Sequence, residues 1–170
     1  MATREFTDAI MLLKNDHREV EDLFTKFEKA GDSGRKWQIA QQICNELKIH
    51  SLLEEEIFYP ATKDVVEEDL YKEAHVEHDG ASVLINDIME SGGEGEFFEA
   101  KVKVLQEQIE HHVKEEEQPK EGYFAQVRDS DVDVVSMLDQ MIARKEELKA
   151  QAEAGGLPPA ELTAVDADAS

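Results

Sequence analysis

The chain has 170 residues, a formal net charge of −22 and one cysteine, Cys44. That length fits one domain with a sizeable core. The charge argues against nucleic acid and anionic membranes as partners, and a lone cysteine excludes an intramolecular disulfide. There is no apolar run of about 18 residues, so no membrane span is expected. The opening Met-Ala-Thr-Arg-Glu-Phe has no apolar stretch of the signal-peptide kind, which gives a cytoplasmic expectation.

In chain order, a first helix is expected from Thr7, as cap, to about Ala30, where Gly31-Asp32-Ser33-Gly34 breaks it. A second runs from about Arg35 to Tyr59 and stops at Pro60. A third starts in a capping-box-like Asp64…Glu67 and reaches about Glu90. After the glycine-rich loop 91–95, a fourth runs from about Glu96 to Gln118. Short connections make consecutive helices antiparallel neighbours. An irregular stretch, 118–129, leads to a fifth helix from Ser130 to about Gln151, with Val134, Leu138, Met141 and Leu148 at helical spacing. It reads as a lid on the bundle, or else a dimer or partner contact. From Ala152 the Ala, Gly, Pro and acidic composition reads as a disordered tail. The expected fold is all-α: an up-down-up-down four-helix bundle over 1–128, an accessory helix over 129–152 and a disordered tail over 153–170.

The second helix carries an apolar stripe, Ile39, Ile43, Leu47 and Ile57, into which His50 and Glu54 fall in register. Equivalent stripes carry His17 between Leu13 and Val20, His78 between Ala74 and Ala81, and His112 and Glu116 beyond Ile109. A carboxylate placed where leucine is expected needs a partner, because an unpaired buried charge costs several kcal/mol (about 3–5 when a partner is lost). The hairpin repeats: His17 to His50 spans 33 residues, His78 to His112 spans 34, and each later histidine is followed by glutamate at plus four. At about 1.5 Å per residue, His17 and His50 sit roughly 20 Å from their shared turn, at one level. These features point to a metal site inside a bundle.

His111 and Glu115 are also four apart, but their register runs through Lys101 and Gln108, so His112 and Glu116 are preferred. His75 is either an extra ligand or a surface residue. The remaining glutamates of the second and fourth helices read as a solvated face. Cys44 reads as a small buried residue rather than a redox thiol. Four imidazoles and two carboxylates are too many for one tetrahedral zinc and suit iron or manganese. No histidine has a glutamate three residues before it, which disfavours the ferritin-like di-iron pattern.

The stretches Leu13-Lys14-Asn15-Asp16-His17, His50-Ser51-Leu52-Leu53-Glu54-Glu55-Glu56-Ile57-Phe58-Tyr59-Pro60, Val76-Glu77-His78 and His111-His112-Val113-Lys114-Glu115-Glu116-Glu117 together resemble a hemerythrin-like (HHE cation-binding) domain of the bacterial type. The resemblance covers about residues 7 to 125. It implies two non-haem irons joined by an oxo or hydroxo bridge, with Glu54 and Glu116 bridging. His17 and His50 would then serve one iron, His78 and His112 the other. Oxygen-carrying members of that family have a further histidine where Ala74 stands, and an aspartate five after the last histidine where Glu116 lies four after. Water, hydroxide, His75 or a nearby tyrosine is left to complete the site.

Three functions follow. One is a module that binds or senses dioxygen, nitric oxide or iron status. Another is a di-iron redox enzyme decomposing peroxide or another small oxidant. The last is a bundle with structural metal only. No nucleophile triad or phosphate loop supports an organic substrate. A redox partner or a homodimer stays open.

Overall fold

The computed structural model describes residues 5–165, and all regular structure among them is helical. The main helices are α1 (Ala9–Lys29), α2 (Ser33–Leu53), α4 (Glu68–Ser91) and α5 (Phe98–Glu117). Between α2 and α4 lie a π-helical turn, Glu54–Phe58, and the short α3 (Tyr59–Thr62); after α5 come α6 (Tyr123–Arg128) and α7 (Val134–Ala154). α1 packs along α2, and α4 along α5; α7 lies across α1 and α2, and α6 against α5. The four-helix bundle with an additional helix is therefore the observed architecture.

The helix ends differ from expectation for local reasons. Asp8 caps α1, its carboxylate accepting the Met11 N–H, while the Thr7 hydroxyl points to the Met11 sulfur. The Asp64…Glu67 box does not form: α4 begins later, with Glu67 as a cap lacking any side-chain bond. Asp133, not Ser130, caps α7, accepting the N–H groups of Val135 and Ser136. The stretch read as irregular contains α6, which buries Tyr123, Phe124 and Val127. Gly122 makes that turn feasible, because a Cβ there would stand 2.4 Å from the Gln118 carbonyl oxygen.

Pro60 does not end the second helix. A proline ring inside an α-helix collides with the carbonyl four residues back and lacks the N–H that would bond it. The π turn widens the helix before Pro60, and the Tyr59 N–H bonds the Glu54 carbonyl five residues back. This has a consequence for direction. Residues five apart diverge by about 140° on an α-helix, yet Glu54 and Tyr59 are both wholly buried here.

Two apolar clusters fill the bundle. One gathers Leu12, Leu13, Leu53, Phe58, Tyr59, Tyr123, Phe124 and Leu138. The other gathers Val20, Phe24, Ile43, Leu47, Ile85, Ile88, Val102 and Leu105. In α1, α2 and α4 the histidine falls where the chain passes from one cluster to the other. A polar layer thus lies between two hydrocarbon layers.

The extension after α7 is not disordered over its described part. Asn86 bonds Ala160 twice, through its amide N–H and its carbonyl. The Asp79 carboxylate accepts the backbone N–H groups of Thr163, Ala164 and Val165, and Lys48 donates to the Pro158 carbonyl. Low apolar content argues for disorder only where the backbone finds no partners; here Lys48 of α2 and Asp79 and Asn86 of α4 supply them. Residues 166–170 of the expected tail lie outside the described residues.

Candidate metal centre

The six residues singled out from the sequence converge in the polar layer. His17, His50, Glu54, His78, His112 and Glu116 are all buried, none more than 6 % exposed. Nε2 of His17 and His50 stand 3.2 Å apart, and Nε2 of His78 and His112 stand 3.1 Å apart. The carboxylates cross between these pairs. Glu54 Oε1 lies 3.0 Å from His50 Nε2 and 3.3 Å from His78 Nε2. Glu116 Oε1 lies 3.3 Å from His17 Nε2 and 3.2 Å from His112 Nε2. Two fully buried groups of donor atoms are close enough to hold an ion, His17, His50 and Glu116, and Glu54, His78 and His112; a third group, Glu77, His111 and Glu115, is partly exposed.

Close approach is not hydrogen bonding here. Both Glu54 oxygens and Glu116 Oε1 are buried without a hydrogen-bond partner of acceptable geometry. An ionised carboxylate left so is strongly disfavoured. Lone pairs of nitrogen and oxygen aimed at common points are what a cation requires, so the donor set fits metal ions.

The opposite ring nitrogens explain the orientation. His50 Nδ1 bonds Asp16 at 3.1 Å, His17 Nδ1 bonds Glu117 at 2.8 Å, His78 Nδ1 bonds Glu55 at 3.1 Å and His112 Nδ1 bonds Glu77 at 2.9 Å. A carboxylate on Nδ1 fixes the N–H there and leaves the Nε2 lone pair free to point inward, as in carboxylate–histidine–metal triads. Each of these acids neighbours a site residue in sequence but serves a histidine on another helix. Asp16 and Glu77 act within their hairpins; Glu55 and Glu117 act between them. Asp16 is further held by Lys145 of α7, and Glu117 by Arg18.

The sequence reading missed these four acids, and for Glu55 and Glu117 it erred in expecting a solvated face. The usable signal was the repeat extended by one residue at each end: acid-His, then His-x-x-x-Glu-Glu, in both hairpins. His111 is 63 % exposed at its side chain and pairs with Glu77 and Glu115 outside the layer, so the preferred register is the buried one. His75 Nδ1 bonds the Tyr71 carbonyl, and its ring lies against Tyr59; it is in neither buried donor group.

Tyr59 reaches the layer from below. Its hydroxyl stands 3.2 Å from His78 Nε2, 3.4 Å from His112 Nε2 and 3.2 Å from Glu116 Oε2. Burial, with Glu116 and Glu54 nearby, holds the phenol well above its ordinary pKa. Burial alone would lower His50, but Glu54 and Asp16 outweigh it and raise it to about 10. Burial would raise Glu54, yet His50 and His78 hold it well below the usual carboxylate range. Cys44 is buried beside this region, and desolvation pushes its thiol up to about 12, which suits an inert core residue.

Residues 8–119 match the family described as Hemerythrin HHE cation binding domain. The chain belongs to the hemerythrin HHE family. A solved structure of a hemerythrin HHE cation binding domain-containing protein from Mycobacterium kansasii superposes with a TM-score of 0.71 at 20% identity, covering 89% of this chain and 96% of that one. The fold is shared. A protein from Nostoc sp. named DNA nickase is 26% identical over 119 residues, 70% of this chain and 33% of that protein. The chain spans about a third of the length of that relative. Cation binding is thus the property this hemerythrin HHE protein shares with its family. Ala74 is buried in the same apolar cluster as Tyr59, whose hydroxyl is one of the groups beside His78. No helix among the described residues is long and apolar enough to cross a membrane.

Proposed function

We propose that this hemerythrin HHE protein holds two non-haem iron ions and binds a diatomic ligand, dioxygen or nitric oxide, at that pair. His17 and His50 would hold one ion and His78 and His112 the other, with Glu54 and Glu116 spanning both. The observation that carries this is the crossing of the carboxylates: each approaches one imidazole of both pairs. Single-ion sites have no need of that pattern, whereas paired ions roughly 3.5–4 Å apart do. Iron held by these residues would supply the electrons that a diatomic ligand needs. The protein supplies shape and protection. A cavity of about 20 Å³ beside the four imidazoles is walled in part by Val20, Leu47, Ala81, Ile85 and Ile109. It has room for one small molecule and none for an organic substrate.

A second reading is reduction of peroxide or another small oxidant, and Tyr59 favours it. Its phenol places an O–H beside His78, His112 and Glu116, where it can donate a hydrogen bond or a proton to a bound oxidant. The deciding experiment loads the protein with ferrous iron without air and adds dioxygen, nitric oxide or peroxide in turn. Binding gives an optical band that reverses when the gas is removed. Catalysis gives continued loss of peroxide at many equivalents per iron. Protein that takes up no iron would overturn both readings.

A further inference from the structure

A second cavity, of about 150 Å³, lies between the C-terminal strap and the bundle. Its floor is α2 and α4, and its roof is Leu157 to Thr163. Asn86 and Asp79 fasten that roof, through the backbone of Ala160 and of Thr163 to Val165. The walls include Leu52, Ile85, Leu157 and Pro158. Lys48 also lines it and is only 6 % exposed, the one buried lysine or arginine among the described residues.

An ammonium group has three donors. Lys48 uses one on the Pro158 carbonyl at 3.3 Å, and among the described residues it forms no ion pair. Lysine is rarely buried without a pairing carboxylate, and in a chain of net charge −22 acids are plentiful. Two acids line this cavity, Glu55 and Glu161, and neither forms an ion pair with Lys48 among the described residues. Glu55 spends Oε1 on His78 and stands seven residues along the floor from Lys48, about 10 Å by helical rise. Glu161 is exposed. One turn along α2 from Lys48, and on α4, the same cavity is lined by Ser51 and Ser82, which carry hydroxyls.

We propose that this cavity is a binding site for a small monocarboxylate with an apolar body of about six carbons. Lys48 receives the carboxylate, with Ser51 and Ser82 as further donors, and the body lies against Ile85, Leu157 and Pro158. The size follows from volume: an apolar cavity of about 150 Å³ holds one benzene molecule. The class follows from charge: an unpaired buried cation discriminates for an anion, and a hydrogen bond between charged groups is about twice as strong as a neutral one.

The test is calorimetry on the full, metal-loaded chain with benzoate and with benzyl alcohol, which share shape and differ in charge. Benzoate is expected to saturate below about 10 mM, with the alcohol about tenfold weaker or more. Lys48→Met should remove that difference while leaving metal content unchanged. Because carboxylates can also bind metal, and because the variant can fail to fold, a crystal structure of the wild-type chain with benzoate gives an independent answer. It should place the carboxylate within hydrogen-bond distance of Lys48 Nζ. Equal affinity for acid and alcohol, a Lys48→Met variant that binds benzoate as well as wild type, or benzoate found at the histidine layer would each overturn the proposal.

Discussion

The Tyr59 hydroxyl stands 3.2 Å from Nε2 of His78, and Tyr59 packs in the same apolar cluster as Ala74, one turn before that histidine. The π turn puts it there, by swinging residue 59 inward beneath Glu54. Tyr59→Phe keeps the ring and its packing and loses one buried hydroxyl, a stability loss of about 1 kcal/mol. Metal content should not change. Affinity for an added anion such as azide should change at least several-fold, read from optical titration. An unchanged titration would mean that the hydroxyl takes no part.

The acids behind the histidines are expected to matter nearly as much as the ligands. Asp16→Asn and Glu77→Gln should each weaken metal binding about 10- to 100-fold, measured by competition with a chelator. Lys145 reaches Asp16 from α7, so Lys145→Met should shift the same constant in the same direction by a smaller factor. If neither acid variant moved it by more than about twofold, the role given to the Nδ1 bonds would be wrong.

Register at the end of α5 is testable by two neighbouring substitutions. His112→Ala removes a buried imidazole and should empty most of the site. His111→Ala removes an exposed one and should leave metal content near that of wild type. Equal losses would undo this choice of register.

Much of this was legible before any coordinates, for a physical reason. Ile39, Ile43, Leu47 and Ile57 define a buried face, and a histidine and a glutamate on that face are conspicuous because burial is costly to them. Asp16, Glu55, Glu77 and Glu117 were not legible in that way. The three glutamates are only partly buried, where an acid is ordinary; Asp16 is buried but lies one residue off the apolar stripe, and the partners of all four lie on other helices. The path past Pro60 was hidden too, since a proline ends most helices and a π turn leaves no clear trace in composition. The strap was misread because its order depends on Asn86 and Asp79, more than 70 residues away.

Proton balance gives a further prediction for the metal-free chain. His50 is raised to about 10 in the fold, from an ordinary 6.5, after Glu54 and Asp16 outweigh its burial; His17, His78 and His112 are raised as well. A raised histidine stabilises the fold fully below its unfolded pKa, and the benefit fades as pH climbs to the folded value. Glu54 is lowered, so its contribution fades only in acid, below the ordinary carboxylate range. The thermal midpoint of metal-free protein should therefore fall as pH rises from about 6.5 to about 10. Metal-loaded protein should lack that fall, since bound metal replaces the protons and loading releases them. Calorimetric melts of both forms across this range decide it; a metal-free midpoint that held steady or rose would contradict the charge assignment.

In the proposed centre, two carboxylates from different hairpins each serve both metal positions. The most direct test of that arrangement is iron per folded chain in wild type, Glu54→Ala and Glu116→Ala, measured by elemental analysis after anaerobic loading. Wild type should hold two irons, and each variant should lose most of the metal from both positions. A single ion in wild type, or two ions retained by either variant, would contradict it.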